Sequence, residues 1–284
     1  MFAFLLFLPL QLPAQTDQPA WRLSGIINLP DLKQAVLQTE NSDEQKVMAI
    51  LAEGEAEAPW GHKIELVKID YKKETAEVYI DKILTTLDLN IQSKTNHAET
   101  EPTIIFERAS FEAVLELYSN LLGRTLLRHP LLHETDFTFS ARARNRGDAI
   151  RAIGNALADK GVTVIPDGDI FAMLVPKEIV SKIKAETFKG NSLGSKSPHD
   201  IQYNFPNVPL LQAAEIYAGL FGCTLKMDEQ FWAGGSATLK LRTVTKLNKE
   251  EAIYALDTLF TWAGIKIVPA GNNLMKAVPV AKRE

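Results

Sequence analysis

The sequence predicts an α+β fold. An N-terminal small all-β sandwich or barrel over residues 21–90 is followed by two tandem two-layer β-α-β-β-α-β-β units, at 103–176 and 203–280. Three observations lead there. Residues 21–90 hold short runs rich in Val, Ile, Leu and Thr, separated by turn residues. Two later stretches show apolar residues at helical spacing inside strand-like surroundings. And the chain repeats itself: Leu115–Leu126 reads LELYSNLLGRTL, and Ala214–Leu225 reads AEIYAGLFGCTL.

The 284 residues allow two or three domains. A formal net charge of −4 and a sequence pI near 5.8 provide no global attraction to nucleic acid or anionic lipid. Cys223 is the single cysteine, which excludes an internal disulfide and any multi-cysteine zinc site. Residues 1–20 open with an apolar run, Met1–Leu12, too short to span a bilayer. It reads as a signal-like segment with Ala14 at the cleavage point, implying export to the periplasm or cell envelope, or else as a short hydrophobic N-terminal anchor or core strand.

In chain order, WRLSGII, KQAVLQT, KVMAIL, HKIELVKID, ETAEVYI and LTTLDL are the expected strands of the first region. The turns between them fall at Asn28–Asp31, Asn41–Asp43 and Tyr71–Lys73. A polar linker spans Ser93–Pro102. In the first repeat, Ile104–Phe106 is a strand and Ser110 caps a helix whose apolar face includes Val114, Leu115, Tyr118 and Leu121. Gly123 stops that helix. RTLLR and TDFTFSARA are strands. A second helix begins near Asp148 and ends at Gly161. VTVIP and IFAMLVP then pair around Asp167-Gly168-Asp169.

The second repeat follows the same order. Phe205, Glu215, Tyr217, Leu220, Gly222, Thr224 and Leu225 match Phe106, Glu116, Tyr118, Leu121, Gly123, Thr125 and Leu126 at an offset of 99. After a four-residue insertion the offset becomes 103, and Gly264, Pro269, Gly271 and Pro279 match Gly161, Pro166, Gly168 and Pro176. The signature of the repeat is thus Tyr118, Gly123 and Gly161 against Tyr217, Gly222 and Gly264. Between the copies, 177–202 is a linker that starts with a short helix over Lys177–Lys189.

These positions carry a resemblance. The aromatic–helix–glycine–strand phrase, followed by a helix–hairpin phrase with Glu251-Ala252-Ile253, Gly264, Pro269 and Gly271, resembles the N-terminal periplasmic domains of secretins. Those are the ring-forming outer-membrane channels of type II secretion and type IV pili. The region from Leu23-Ser24-Gly25-Ile26 through Ala35-Val36-Leu37 and Glu53-Gly54-Glu55 to Leu66–Val78 is similar to the small β-domain of the type II secretion inner-membrane clamp protein and of the type IV pilus lipoprotein. In those families this domain docks on the secretin N-domains; here both kinds sit on one chain, and nothing after Pro279 resembles the channel domain. The resemblance implies a non-enzymatic docking component of a bacterial envelope secretion or pilus-type machine. Its partners would be secretin or other machinery proteins, or a homo-oligomeric ring, with no nucleic acid and no small-molecule substrate.

Residues that carry chemistry are sparse. His129 and His133 stand i, i+4, but Pro130 and strand-like surroundings favour a solvated loop over a metal site. Glu53/Glu55 and Asp167/Asp169 lie at turns and read as solubilising. No P-loop or Rossmann glycine pattern occurs, and no catalytic, cofactor-binding or metal residue is assigned. Arg142, Arg144 and Arg146 alternate, so on a strand they share a face. That stripe reads as a docking surface for an acidic partner or neighbouring subunit, as a nucleic-acid stripe, or as a solvated protective edge. Lys240, Arg242 and Lys246 occupy the comparable region of the second repeat. A KH-like nucleic-acid-binding protein is the alternative reading, although neither repeat joins its two helices directly through a G-x-x-G loop; a cell-wall-binding module is another. Cys223 reads as a buried or edge thiol. Trp60, Trp232 and Trp262 are interface candidates, and Phe231-Trp232 in the inserted loop either anchors a partner or folds back on its own sheet.

Overall fold

The computed structural model describes residues 20–40, 46–89, 102–183, 198–226 and 237–280. The signal-like segment, the Ser93–Pro102 linker up to residue 101, the linker residues 184–197 and the Phe231-Trp232 pair lie outside the described residues, as does the side chain of Trp60.

The fold is α+β and rich in strand. The first region holds β1 (Arg22–Leu29), β2 (Leu32–Glu40), β3 (Lys46–Ala52), β4 (Ala56–Glu57), β5 (Ile64–Asp70), β6 (Thr75–Ile80) and β7 (Ile83–Asp88), with one 3-10 turn at Pro59–Gly61. Next come β8 (Thr103–Ala109), α1 (Phe111–Leu122), β9 (Thr125–Arg128), β10 (Phe137–Arg142), α2 (Arg146–Asp159), β11 (Val162–Asp167) and β12 (Phe171–Pro176). After a 3-10 turn at Lys177–Lys182 the order recurs as β13 (Asn204–Pro209), α3 (Leu210–Leu220), β14 (Thr224–Leu225), β15 (Thr238–Arg242), α4 (Lys249–Trp262), β16 (Ile265–Gly271) and β17 (Leu274–Pro279). The short helix expected from Lys177 is therefore a 3-10 turn over its first six residues.

Strand pairing relates the two repeats. β9 lies parallel to β12 with Thr125 opposite Phe171, and β14 lies parallel to β17 with Thr224 opposite Leu274. These pairs are separated by the same offsets, 99 and 103, that relate the two copies in sequence. Local chemistry explains the helix ends. The Ser110 hydroxyl accepts from the Ala113 N–H at 3.3 Å, and Gly123 adopts the left-handed conformation (φ 64°) that terminates α1. Asn248 and Glu251 form a reciprocal capping box at α4.

The sheets do not respect the boundary that the sequence places between 21–90 and 103–176. β1, β2 and β3 join β8 and β10 in one five-stranded sheet, in the order β10-β8-β1-β2-β3. β1 pairs antiparallel with β8 from Gly25–Phe106 to Asn28–Thr103. One face of this sheet meets the four-stranded sheet β4-β5-β6-β7 through Leu23, Ile26, Leu37, Leu51 and Ile105. The other face meets α1 and α2 through Ile27, Val36, Ile50, Ile104 and Phe106. Covered on both faces, these strands are apolar at consecutive positions rather than alternating. The turn expected at Asn28–Asp31 is shorter than its sequence suggests, because Leu29 is a buried strand residue.

A bulge between Leu23 and Gly25 puts Leu23 and Ile26 on the same face, and the buried Ser24 hydroxyl donates to the Val36 carbonyl at 3.1 Å. Gly25 lies under the Phe106 ring: a Cβ there would come within 2.7 Å of it. Gln38 of β2, also buried, accepts from the Ser110 N–H and donates to its hydroxyl, so the cap of α1 is tied to the first region. Gly25→Ala is expected to push Phe106 out of place and lower stability by about 1–3 kcal/mol. Urea denaturation measures this, and an unchanged midpoint contradicts the close approach of β1 to Phe106.

Candidate functional site

The charged and aromatic side chains gather where the three modules meet. β9 and β12 of the first repeat turn Leu127 and Phe171 outward into the core of the second repeat. Phe171 lies 5.5 Å from the Tyr254 ring and His129 lies 5.1 Å from the Trp262 ring, both partners being on α4. The Tyr254 hydroxyl donates to the buried Asp167 carboxylate at 2.6 Å, and the Val244 N–H donates to Thr125 Oγ1 at 3.3 Å. IFAMLVP is apolar throughout because β12 is sandwiched between α1/α2 and α4.

Two sequence expectations change here. His129 is buried rather than solvated, while His133 is exposed. The Leu131 N–H donates to His129 Nδ1 at 3.2 Å, and burial pushes the imidazole below its ordinary pKa. Asp167 is a fully buried contact between repeats rather than a solubilising turn residue; its neighbour Asp169 is exposed and near Arg124. Glu53 and Glu55 are likewise structural, accepting from the Ile69 and Ala52 N–H groups at 2.8 Å each.

Beside this contact a cleft of about 330 Å³ runs between α1 and the β13–β15 sheet, with Met48 of β3 at its rim. Its charges are paired across the modules. Glu112 of α1 binds Arg128 of β9 and, at 3.1 Å, Lys240 of β15. Glu134 binds Lys240 and, at 3.7 Å, Arg128. Glu116 of α1 binds Arg242 of β15. The Arg128 guanidinium also sits 4.6 Å from the Phe111 ring centroid. Burial raises the Glu116 carboxyl above its ordinary value, Arg242 opposes this, and Glu57 of β4 adds to it. All three modules thus contribute charge to one locus. Glu215, the counterpart of Glu116 in the second repeat, is exposed, so an identical residue serves two roles.

The arginine stripe does not form. Arg142 ends β10, Arg144 lies in the following loop, and Arg146 is the first residue of α2. Arg146 turns back to α1, donating to the Leu121 and Asn120 carbonyls at 2.6 and 2.8 Å, where a cation complements the helix C-terminus. The Arg144 N–H donates to Asp148, whose own N–H is capped by Asn145. Lys240 and Arg242 bind inside the chain, and Lys246 is exposed. Cys223 is half-exposed, with its Sγ 3.7 Å from the Phe221 carbonyl. Among the described residues no group of three or more His, Cys, Asp and Glu is placed to hold a metal. No helix among them is long and apolar enough to cross a membrane.

The signature tyrosines are core residues with different partners. Tyr118 packs its hydroxyl over Gly154, whereas Tyr217 hydrogen-bonds Asp257, the counterpart of Gly154. Burial pushes both Asp257 and the Tyr217 hydroxyl up. The docking residues Leu127, Asp167, Phe171, Tyr254 and Trp262 carry a signal that the repeats themselves contain. Where the first repeat has Leu127, Asp167 and Met173, the second has Lys226, Ala270 and Lys276 on a face that lies open.

No family model matches the chain, and no curated protein or solved structure matches it.

Two outcomes are expected. The folded-state pKa of His129 lies below its unfolded value of about 6.5, so the unfolded chain binds more protons. Its stabilising contribution is complete above that value and is lost as pH falls through the folded pKa. Denaturation midpoints measured downward from pH 7.5 should drop more steeply in the parent than in His129→Phe; identical slopes contradict the assignment. Tyr254→Phe removes a bond to a buried carboxylate and should cost about 1.5–3 kcal/mol in equilibrium unfolding.

Proposed function

We propose that this protein is a non-enzymatic docking component of a bacterial envelope secretion or pilus-type machine, acting in the periplasm through protein–protein contacts of secretin N-domain-like repeats. On this reading the two β-α-β-β-α-β-β units are the N-domain-like modules and residues 21–90 are the small β-domain that docks on them. The observation that carries the reading is the ladder between β1 and β8. In the families that the two regions resemble, the small β-domain docks on the secretin N-domains as a separate chain. Here the strand most characteristic of the small domain, Leu23-Ser24-Gly25-Ile26, reaches the first repeat by edge pairing within one chain, with Gly25 opposite Phe106. The helix-on-sheet contact between α4 and the β9–β12 pair is a second mode by which such units stack.

Affinity purification of the tagged full chain from crosslinked envelope fractions tests the proposal. A secretin or pilus-machinery protein should be enriched over a tag-only control, and its absence from the crosslinked material sinks the reading.

A further inference from the structure

Edge strands present unpaired N–H and C=O groups, and proteins usually blunt them. Most edges in this chain are blunted. β13 carries Pro206 and Pro209 with a register shift, β16 carries Pro269 with another, β11 carries Pro166 and β10 has a shift of its own. β4 and β14 are two residues long. β3 packs against α1 and β5, and β9 against β15. β7 packs one face against β1, and among the described residues no strand pairs with its outer edge. It is the edge of the order β4-β5-β6-β7, and Ile83–Asp88 contains no proline, lysine or bulge. Its first two residues, Ile83 and Leu84, are 56% and 54% exposed. Tyr79, opposite Leu84, is 39% exposed.

We propose that β7 is a self-association edge, pairing antiparallel with β7 of a second copy of this chain about a two-fold axis at Thr85. The backbone parity allows it. The Leu89 N–H donates to the Glu74 carbonyl across the hairpin, so odd residues of β7 turn their polar groups toward β6 and even residues turn theirs outward. Centring on Thr85 sets Leu84 opposite Thr86 as an outward-facing hydrogen-bonded pair, made twice by symmetry. The same register brings the long side chain of Lys82, a left-handed turn residue just before the strand, within reach of Asp88, again twice. Ile83 comes opposite Leu87, which already packs against the sandwich core. Pairing therefore continues that core across the axis and buries an isoleucine that is open in the single chain. Shifting the centre to residue 84 or 86 keeps the backbone bonds but loses the Lys82–Asp88 pairing, so charge selects the register. The contact is isologous and closes at a dimer, unlike the head-to-tail contacts of a ring.

Sedimentation velocity of the full chain across roughly 1–300 μM tests this, since an interface below about 1,200 Å² associates weakly. The expected result is a concentration-dependent shift from monomer to dimer. Thr86→Pro removes an outward N–H that β6 does not use, and should leave the chain monomeric with an unchanged circular dichroism spectrum. Lys82→Glu sets like charges opposite each other twice and should weaken the dimer about tenfold. Adding Asp88→Lys in the same chain should restore it. A monomer throughout the range overturns the proposal, as does a dimer that Thr86→Pro and Lys82→Glu both leave intact.

Discussion

The ladder between β1 and β8 is the constraint on which the rest of the structure depends. It makes one sheet from strands that belong to two sequence regions, and both faces of that sheet are buried. Side chains alternate along a strand, so a slip of one residue would exchange the set that meets the β-sandwich for the set that meets the helices. Three features hold the register. The bulge at Ser24 resets parity, Gly25 admits the Phe106 ring, and Gln38 engages the cap of α1. Arg22 adds a fourth tie, donating to the Arg108 carbonyl at 2.7 Å, where the backbone of β8 is locally left-handed.

The two repeats show what context does to one architecture. The first repeat is flanked on each side: its sheet is extended by β1–β3, and the outer face of its β9–β12 pair is covered by α4. The second keeps the same strand register with its corresponding face open, and there Lys226 and Lys276 replace Leu127 and Met173. Even the conserved-looking tyrosine adapts. Over Gly154 it only packs, whereas beside Asp257 it makes a buried hydrogen bond.

Charge at the junction works through pairing rather than through a field. Glu112, Glu116, Glu134, Arg128, Lys240 and Arg242 come from both repeats and neutralise one another around the cleft. Truncating Arg242 leaves the largely buried Glu116 carboxyl without its counter-ion, which costs more than the pair itself contributes. The groups respond to pH in opposite senses. His129 favours the folded state when neutral, so acidification weakens its contribution. Glu116 has a raised folded-state pKa, so its contribution is greatest below the ordinary glutamate value and declines as pH rises through the folded value.

Much of the architecture is legible in local pattern. Apolar residues at helical spacing place α1 and α2, Ser110 and Gly123 bound α1, the Asp167-Gly168-Asp169 turn marks a hairpin, and the twin phrases reveal the repeat. These features rest on interactions within a few residues, such as a capping hydroxyl, a glycine at positive φ or an i, i+4 stripe. The sites were less legible, because their partners are far away in sequence. Arg146 looks like one of an alternating trio until the C-terminus of α1 is brought beside it. His129 looks solvated until Trp262 covers it, and Lys240 looks free until Glu112 reaches it. By itself the sequence determined which elements form and that one unit occurs twice. Only the tertiary structure decided that the first region and the first repeat share a sheet, and which charges are already committed inside the chain. The β1–β8 ladder and the ion pairs between repeats join residues about 75 to 130 positions apart, and no local period records that choice.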